Sequence, residues 1–214
     1  MIISPGRNYI FVHIPKTGGT SLALALEARA MRDDILIGDT PKAKKRRRRI
    51  KDVQSAGRLW KHSTLADIDG LVTRDFVASA FCFTLVRNPW DRMVSYYHWL
   101  RCQSFDHPAV ACAKAADFAG FLNAPQMQAA IRAWDYARYM RSADGPDQAR
   151  LFIRLEHFEA EAEPLWDHLG FRLDLPHENR SDREEDYRAY YSESDAELLA
   201  RLCAADIQRF GYQF

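Results

Sequence analysis

The chain of 214 residues lacks any long hydrophobic run, has only four cysteines and carries almost no net charge. No apolar stretch approaches the roughly 18–20 residues that a membrane-spanning helix needs. The first residues, "MIISPGRNYIFVHI", do not show the basic and then purely apolar regions of a signal peptide. We therefore expect no membrane span and a cytoplasmic location. With 47% hydrophobic and 28% charged residues, the composition is that of a globular protein, and the length predicts one domain over residues 1–214.

The four cysteines give no sign of a disulfide framework or a metal site. They show no CxxC pairing and no nearby histidine at zinc-ligand spacing. Cys82 falls within a strand pattern and Cys203 within a helical one, which is typical of buried, reduced thiols. No acidic metal-binding motif is present either, so the sequence predicts no metal.

Charge is unevenly distributed along the chain, although the formal net charge is only +1. The segment "KAKKRRRRIK" (42–51) has eight basic residues and no acid, which leaves 22 basic against 29 acidic residues elsewhere. We expect residues 33–58 to form an irregular basic insertion. Such a run is usually a solvated loop, and the alternative is a surface for a polyanion, either nucleic acid or an acidic glycan. The run has no interleaved aromatic residues and no accompanying nucleic-acid motif, so we expect no nucleic-acid partner.

Strand and helix patterns alternate along the chain. Apolar runs rich in β-branched and aromatic residues predict strands at 8–14, 76–87 and 149–158. Helical spacing follows the first of these at 18–32 and the second from Pro89 to about residue 101. This alternation predicts an α/β fold with a central parallel β-sheet flanked by helices.

The first strand-to-helix turn contains "FVHIPKTGGTSL" (11–22), which has the residue types of an anion-binding loop. A helix N-terminus exposes N–H groups with partial positive charge, and glycines allow close approach of the backbone to an anion. Hydroxyl side chains and Lys16 add donors and charge. The lysine precedes the glycines, unlike the Walker order G-x-x-x-x-G-K-[ST]. The predicted anion-binding residues are Pro15, Lys16, Thr17, Gly18, Gly19, Thr20 and Ser21.

The second strand-to-helix junction is "LVRNPWDRMVSYYHW" (85–99). Arg87 follows the carboxyl end of a buried strand, where ligands of open α/β sheets bind. Asn88 is the expected N-cap, with Pro89 at the first helical position. Ser95 lies two turns into the helix. A guanidinium and a hydroxyl that converge on one phosphate would make charge-assisted hydrogen bonds to it.

Both motifs resemble those of the sulfotransferases, which use 3′-phosphoadenosine 5′-phosphosulfate (PAPS). "IPKTGGTS" resembles their 5′-phosphosulfate loop, and "RNPWDRMVSYYH" resembles their 3′-phosphate-binding strand and helix. The shorter stretches "WKHS", "IRLEHF", "HENRS" and "DIQRFGYQF" occur in a similar order, so the resemblance extends over nearly the whole chain. It is closest to carbohydrate sulfotransferases of the heparan and chondroitin type, in a compact, bacterial-like form without a membrane anchor.

The resemblance implies a single sulfotransferase domain with a P-loop-like, three-layer sandwich. Lys16 would stabilise the leaving group, and Arg87 and Ser95 would bind the 3′-phosphate. In the charged loop near residue 180, Arg180 and Ser181 would add contacts to the nucleotide. The resemblance further implies PAPS as donor, PAP as product, and a hydroxyl-bearing acceptor, a glycan, as the partner.

An acceptor hydroxyl must lose its proton, so a general base is expected. His62 is our candidate, because it follows a short extended piece, opens a predicted helix and occupies the stretch where related enzymes place a catalytic histidine. Lys61 would lower its pKa by like-charge repulsion. Glu156 is the alternative base, since some relatives use a carboxylate. His13 lies inside the first strand and is interpreted as a packed, hydrogen-bonded residue.

Two other functions are compatible with parts of this pattern. A non-catalytic module that binds PAP or PAPS would keep Lys16 and Arg87 but lack a competent base. A small P-loop kinase is disfavoured by the missing G-K-[ST] order and by the lack of a magnesium-binding carboxylate. For the basic segment, the hypothesis is that residues 44–49 recruit an acidic glycan acceptor.

Overall fold

The computed structural model describes residues 1–175, 183–184 and 186–214. The strands are β1 (Ile2–Ser4), β2 (Tyr9–Val12), β3 (Ile35–Leu36), β4 (Phe81–Val86) and β5 (Ala149–Arg154). The α-helices are α1 (Gly19–Ala28), α2 (Pro41–Arg46), α3 (Arg74–Ser79), α4 (Pro89–Arg101), α5 (Pro108–Ala115), α6 (Phe118–Asn123), α7 (Pro125–Arg132), α8 (Tyr136–Met140), α9 (Phe158–Glu161), α10 (Glu163–Leu169), α11 (Glu193–Leu202) and α12 (Ala204–Phe210). Short 3₁₀ turns span Arg47–Ile50, Leu155–His157 and Tyr187–Tyr190.

The five strands of the described residues form one mixed sheet in the order β3-β1-β2-β4-β5. Strand β4 pairs in parallel with β2 and β5, whereas β1 runs antiparallel to β2 and β3. The predicted α/β class is confirmed, but the sheet is not parallel throughout. The connection between Ser4 and Tyr9 is too short for a crossover and folds back as a tight turn, closed by the bond from the Asn8 N–H to the Pro5 carbonyl (3.2 Å).

The described residues fold into two compact units. The first comprises Met1–Val86 and the described part of Tyr136–Glu178, and it contains the whole sheet. Side chains alternate between the faces of a strand. On one face, Phe11 and Phe83 pack into an apolar cluster with Leu22 of α1 and Trp166 of α10. Residues of the other face, such as Ile10 and Cys82, are buried as well.

The second unit comprises Arg87–Asp135 and the described part of Asn179–Phe214. Its core is an aromatic cluster in which Tyr97 of α4 packs against Phe118 and Phe121 of α6. The Trp90 indole donates a hydrogen bond to the Ala196 carbonyl of α11 (3.0 Å). The single domain over residues 1–214 stays a prediction.

The structure is more regular between residues 33 and 58 than the sequence predicts, since β3, α2 and a 3₁₀ turn lie there. Thr40 caps α2 by accepting a bond from the Ala43 N–H (3.1 Å), and its hydroxyl donates to Glu27 of α1 (2.6 Å). Residues 76–79, predicted as part of a strand, belong to α3 because Thr73 caps that helix. The four cysteines are free thiols. No helix among the described residues is long and apolar enough to span a membrane.

Candidate active site

The anion-binding loop (residues 15–21) joins β2 to α1 in the first unit. Its backbone turns through two left-handed residues, Lys16 at φ 66° and Gly18 at φ 79°. A lysine rarely adopts such a φ, and residues held this way concentrate at functional sites. Gly18 is the N-cap of α1 and supplies no side-chain acceptor. The first N–H groups of this ten-residue helix therefore have no side-chain cap, as an anion site requires.

A Cβ atom fits at neither glycine of the loop unless a neighbouring side chain moves, and Gly18 also has a left-handed φ. A Cβ atom added at Gly18 would lie 2.7 Å from Cδ1 of Leu155, and one added at Gly19 would lie 2.4 Å from Cδ2 of His13. Either contact is too short for non-bonded carbon atoms. Thr17 is fully buried, and its hydroxyl donates to the Ile14 carbonyl (3.0 Å), so it closes the turn.

His62 is held beside this loop by a hydrogen bond. Its Nδ1 atom lies 2.7 Å from the main-chain oxygen of His13. Because a carbonyl can only accept, Nδ1 carries the proton, and the neutral ring has its lone pair on Nε2. That is the tautomer of a general base whose Nε2 accepts a proton.

Two aromatic rings fix the plane of His62. The Trp60 ring meets it edge to face, with centroids 4.9 Å apart, and the His13 ring does the same at 4.7 Å. His62 lies in a turn, and the helix expected to begin near it is absent from residues 63–68. The Ser63 hydroxyl bonds the Arg58 and Trp60 carbonyls (both 2.9 Å), and such local bonds compete with helix formation.

The surroundings of the His62 ring favour its neutral form. Burial lowers the pKa of His62 to about 3; the hydrogen bond to the His13 carbonyl opposes this shift, and the Lys61 ammonium reinforces it. The predicted effect of Lys61 is therefore present, but burial is the larger cause. Lys61 itself pairs with Asp39 (2.7 Å). Glu156, the alternative base, is exposed in the 3₁₀ turn that follows β5.

In the second unit, Arg87 directly follows β4 and precedes α4. Asn88 caps the helix by accepting the Trp90 N–H (3.0 Å), and Pro89 occupies the first turn, as predicted. Ser95 is buried on the same helix, 3% exposed. It lies four residues after Asp91, so the two share a helix face.

Sequence reasoning missed the ion pairs around Arg87. Both Nε and Nη2 of Arg87 lie 2.7 Å from Oδ2 of Asp91, and Arg183 bonds the other oxygen of the same carboxylate. Arg183 is 11% exposed, and its Nη1 atom is buried without a hydrogen-bond partner among the described residues. The Arg87–Asp91 pair has the i,i+4 spacing that could have revealed it. No pattern signalled Arg183.

Two predicted contacts, Arg180 and Ser181, lie outside the described residues. The structure brings the anion-binding loop together with His13 and His62 in the first unit, and Arg87 together with Asp91 and Arg183 in the second. Within the part of the chain that the structure describes, no group of three or more His, Cys, Asp or Glu residues could hold a metal ion.

Comparison with known proteins identifies the family. A solved structure of mouse sulfotransferase SULT7A1 complexed with PAP is similar, with 15% identity, a TM-score of 0.47, and coverage of 96% of this chain and 86% of that one. A search of curated proteins finds no match. The sequence model of the sulfotransferase family matches residues 1–213. The chain therefore belongs to the sulfotransferase family, whose sulfuryl donor is PAPS.

Proposed function

We propose that the protein transfers the sulfuryl group of PAPS to a hydroxyl of a carbohydrate acceptor. The observation that carries this proposal is the neutral His62, with its Nε2 lone pair fixed by the His13 carbonyl, next to the anion-binding loop. A loop that binds an anion and a base that accepts a proton are the two parts that sulfuryl transfer requires.

The reaction is an in-line displacement. The acceptor oxygen forms a bond to sulfur while the bond from sulfur to the bridging oxygen of the 5′-phosphosulfate breaks. His62 Nε2 takes the acceptor proton, and PAP leaves with the electron pair of the broken bond. Negative charge builds on the bridging oxygen, where the Lys16 ammonium and the N–H groups of α1 stabilise it more in the transition state than in the ground state.

A pKa of about 3 keeps His62 unprotonated in the absence of donor. It also makes the imidazole a weak base, and efficient proton transfer needs a pKa nearer to the working pH. Binding the negative phosphosulfate on the neighbouring loop raises the pKa of His62, because a nearby opposite charge favours the imidazolium. Donor binding thus strengthens the base.

For the 3′-phosphate we propose Arg87 and Ser95, together with Arg180 and Ser181, which lie outside the described residues. The Asp91 carboxylate orients the Arg87 guanidinium through two hydrogen bonds. A guanidinium held in this way loses less freedom when it binds a phosphate.

The acceptor proposal is supported by a basic surface, which we define as Lys44, Lys45, Arg47 and Arg48. These side chains are exposed on α2 and the following 3₁₀ turn, and they form no ion pair with any residue that the structure describes. Arg46 and Arg49 instead donate to main-chain carbonyls of the connection between α1 and β3.

The basic surface is connected to the turn that contains His62. A Cβ atom at Gly38 would lie 3.8 Å from Cβ of Ala43 in α2 and 4.0 Å from Cβ of Lys61, so both elements pack beside Gly38. The helix that begins the basic surface and the turn that carries the base are therefore neighbours in the first unit. We propose that the surface recruits an acidic glycan acceptor.

A mass-spectrometric screen of acceptors incubated with PAPS tests the function. We expect one added sulfuryl group on a carbohydrate, and loss of product with Lys16→Ala. A non-catalytic module would bind PAP tightly but modify nothing in a broad panel.

The cytoplasmic location stays a prediction.

The acceptor surface has its own test. Lys44→Gln/Lys45→Gln should raise the acceptor KM and weaken its dependence on salt, while the affinity for PAP is unchanged. The control Lys114→Gln/Arg132→Gln removes two exposed cations of the second unit and should leave KM unchanged. Equal KM values in both variants would reject the proposal that the basic surface recruits the acceptor. The proposal of sulfuryl transfer would be unaffected.

A further inference from the structure

The His13 side chain lies against both Gly19 and His62. The Nε2 and Cδ2 atoms of its ring are directed at the position of a Cβ on Gly19, at 2.8 and 2.4 Å. The same ring meets the His62 ring edge to face at 4.7 Å. One imidazole ring therefore packs against both the first turn of α1 and the candidate base.

The His13 ring also packs against a core residue of the same strand region. His13 stacks on Phe11, with centroids 6.0 Å apart and an angle of 20° between the planes. Phe11 is fully buried in the apolar cluster of the first unit. His13 is 7% exposed, so its ring has little room to change its orientation.

We infer that His13 is a positioning residue for sulfuryl transfer, whose ring sets the distance between the anion-binding loop and His62. This inference rests on the proposed function, because it takes His62 as the base. Nucleophile, sulfur and leaving oxygen must lie in line, and a displacement of about 1 Å can cost about 100-fold in rate. Because the His13 ring contacts both the loop and His62, it limits their displacement relative to each other before the substrates bind.

The His13 main chain and side chain have separable roles. The carbonyl fixes the tautomer of His62, and any residue at position 13 supplies a carbonyl. The side chain fixes where the His62 ring stands relative to Gly19. Burial above all, and then the neighbouring His62, hold the pKa of His13 well below its ordinary value, so the His13 ring is uncharged.

The test is His13→Val, which keeps a residue suited to a buried strand and removes the ring. We expect kcat to fall about 10- to 100-fold while the Kd for PAP changes by less than about threefold. His13→Phe, which restores a planar ring, should recover most of kcat. In NMR spectra, the Nδ1 proton of His62 should exchange with solvent faster in His13→Val than in the wild type.

The control is His168→Ala. His168 also bonds a main-chain carbonyl, that of Arg7 (2.9 Å), and stacks on a strand phenylalanine, Phe81 (4.4 Å), but it belongs to α10. Its replacement should lower stability and leave kcat unchanged. Wild-type kcat in a folded His13→Val that binds PAP would overturn the inference. If His62→Ala kept full turnover, the proposed base would be wrong, and the inference would fall with it.

Discussion

The Nδ1 atom of His62 lies 2.7 Å from the carbonyl oxygen of His13, the residue that follows β2. This bond joins residues 49 positions apart and attaches the turn containing His62 to the end of a sheet strand. The anion-binding loop starts two residues after His13. One short segment therefore carries both the donor loop and the carbonyl that orients the base.

Gly19→Ala should destabilise the first unit by about 1–3 kcal/mol, because the new methyl group overlaps the His13 ring. Gly38→Ala is the matched control, since its Cβ would meet atoms no closer than 3.8 Å. Unfolding in urea measures both. In a His13→Val background the cost of Gly19→Ala should fall by more than half, and a cost that stays the same would show that the two side chains are not coupled.

Asp91→Ala should lower stability by about 1–3 kcal/mol, because it leaves Arg87 and Arg183 close together without their shared carboxylate. Glu197→Ala removes an exposed carboxylate, which pairs with Arg201 at 3.7 Å, and should cost less than about 0.5 kcal/mol. Thermal unfolding of both variants checks this, and equal losses would contradict a structural role for the Asp91 network.

Arg87→Gln should reduce discrimination for the 3′-phosphate. Wild type should bind PAP more tightly than adenosine 5′-phosphate, and the variant should lose about 10- to 100-fold of that preference, as expected for a hydrogen bond between charged groups. Arg201→Gln, which removes an exposed arginine of α11, is the control. Calorimetric titration of each protein with both nucleotides measures the preference for PAP. A loss that is equal for the two ligands would place Arg87 elsewhere than at the 3′-phosphate.

Stability should depend on pH through His62. Its pKa is about 3 in the folded protein against 6.5 ordinarily, so the unfolded chain binds the proton more readily. The stabilising contribution is complete above about pH 6.5 and is lost as the pH falls towards 3. His62→Phe should therefore reduce the slope of the unfolding free energy between these values, and the buried His13, whose pKa is also lowered, accounts for part of the slope that remains. An identical slope in wild type and variant would mean that the fold does not hold His62 as a neutral ring.

The local parts of the site could be predicted from sequence, because their signals are local. Gly18, Gly19 and Lys16 stand in one loop before a helical pattern, and Asn88 and Pro89 are standard signals for the start of a helix. The mixed sheet was not predicted, since it depends on a tight turn before Asn8.

The longer-range parts were out of reach for a physical reason. Arg183 and Asp91 are 92 residues apart, and nothing in the spacing of either indicates that they pair. The contact of His62 with a main-chain carbonyl carries no side-chain signal at position 13. The order in the basic segment depends on Thr40 bonding Glu27 of another helix, which no local pattern encodes.

Turnover of PAPS by His62→Ala, measured beside the affinity of the same variant for PAP, tests the central claim most directly. We predict that kcat falls about 10²- to 10⁴-fold, as for loss of a general base, while the Kd for PAP stays within about threefold of the wild-type value. A variant that transfers the sulfuryl group at the wild-type rate would contradict the account.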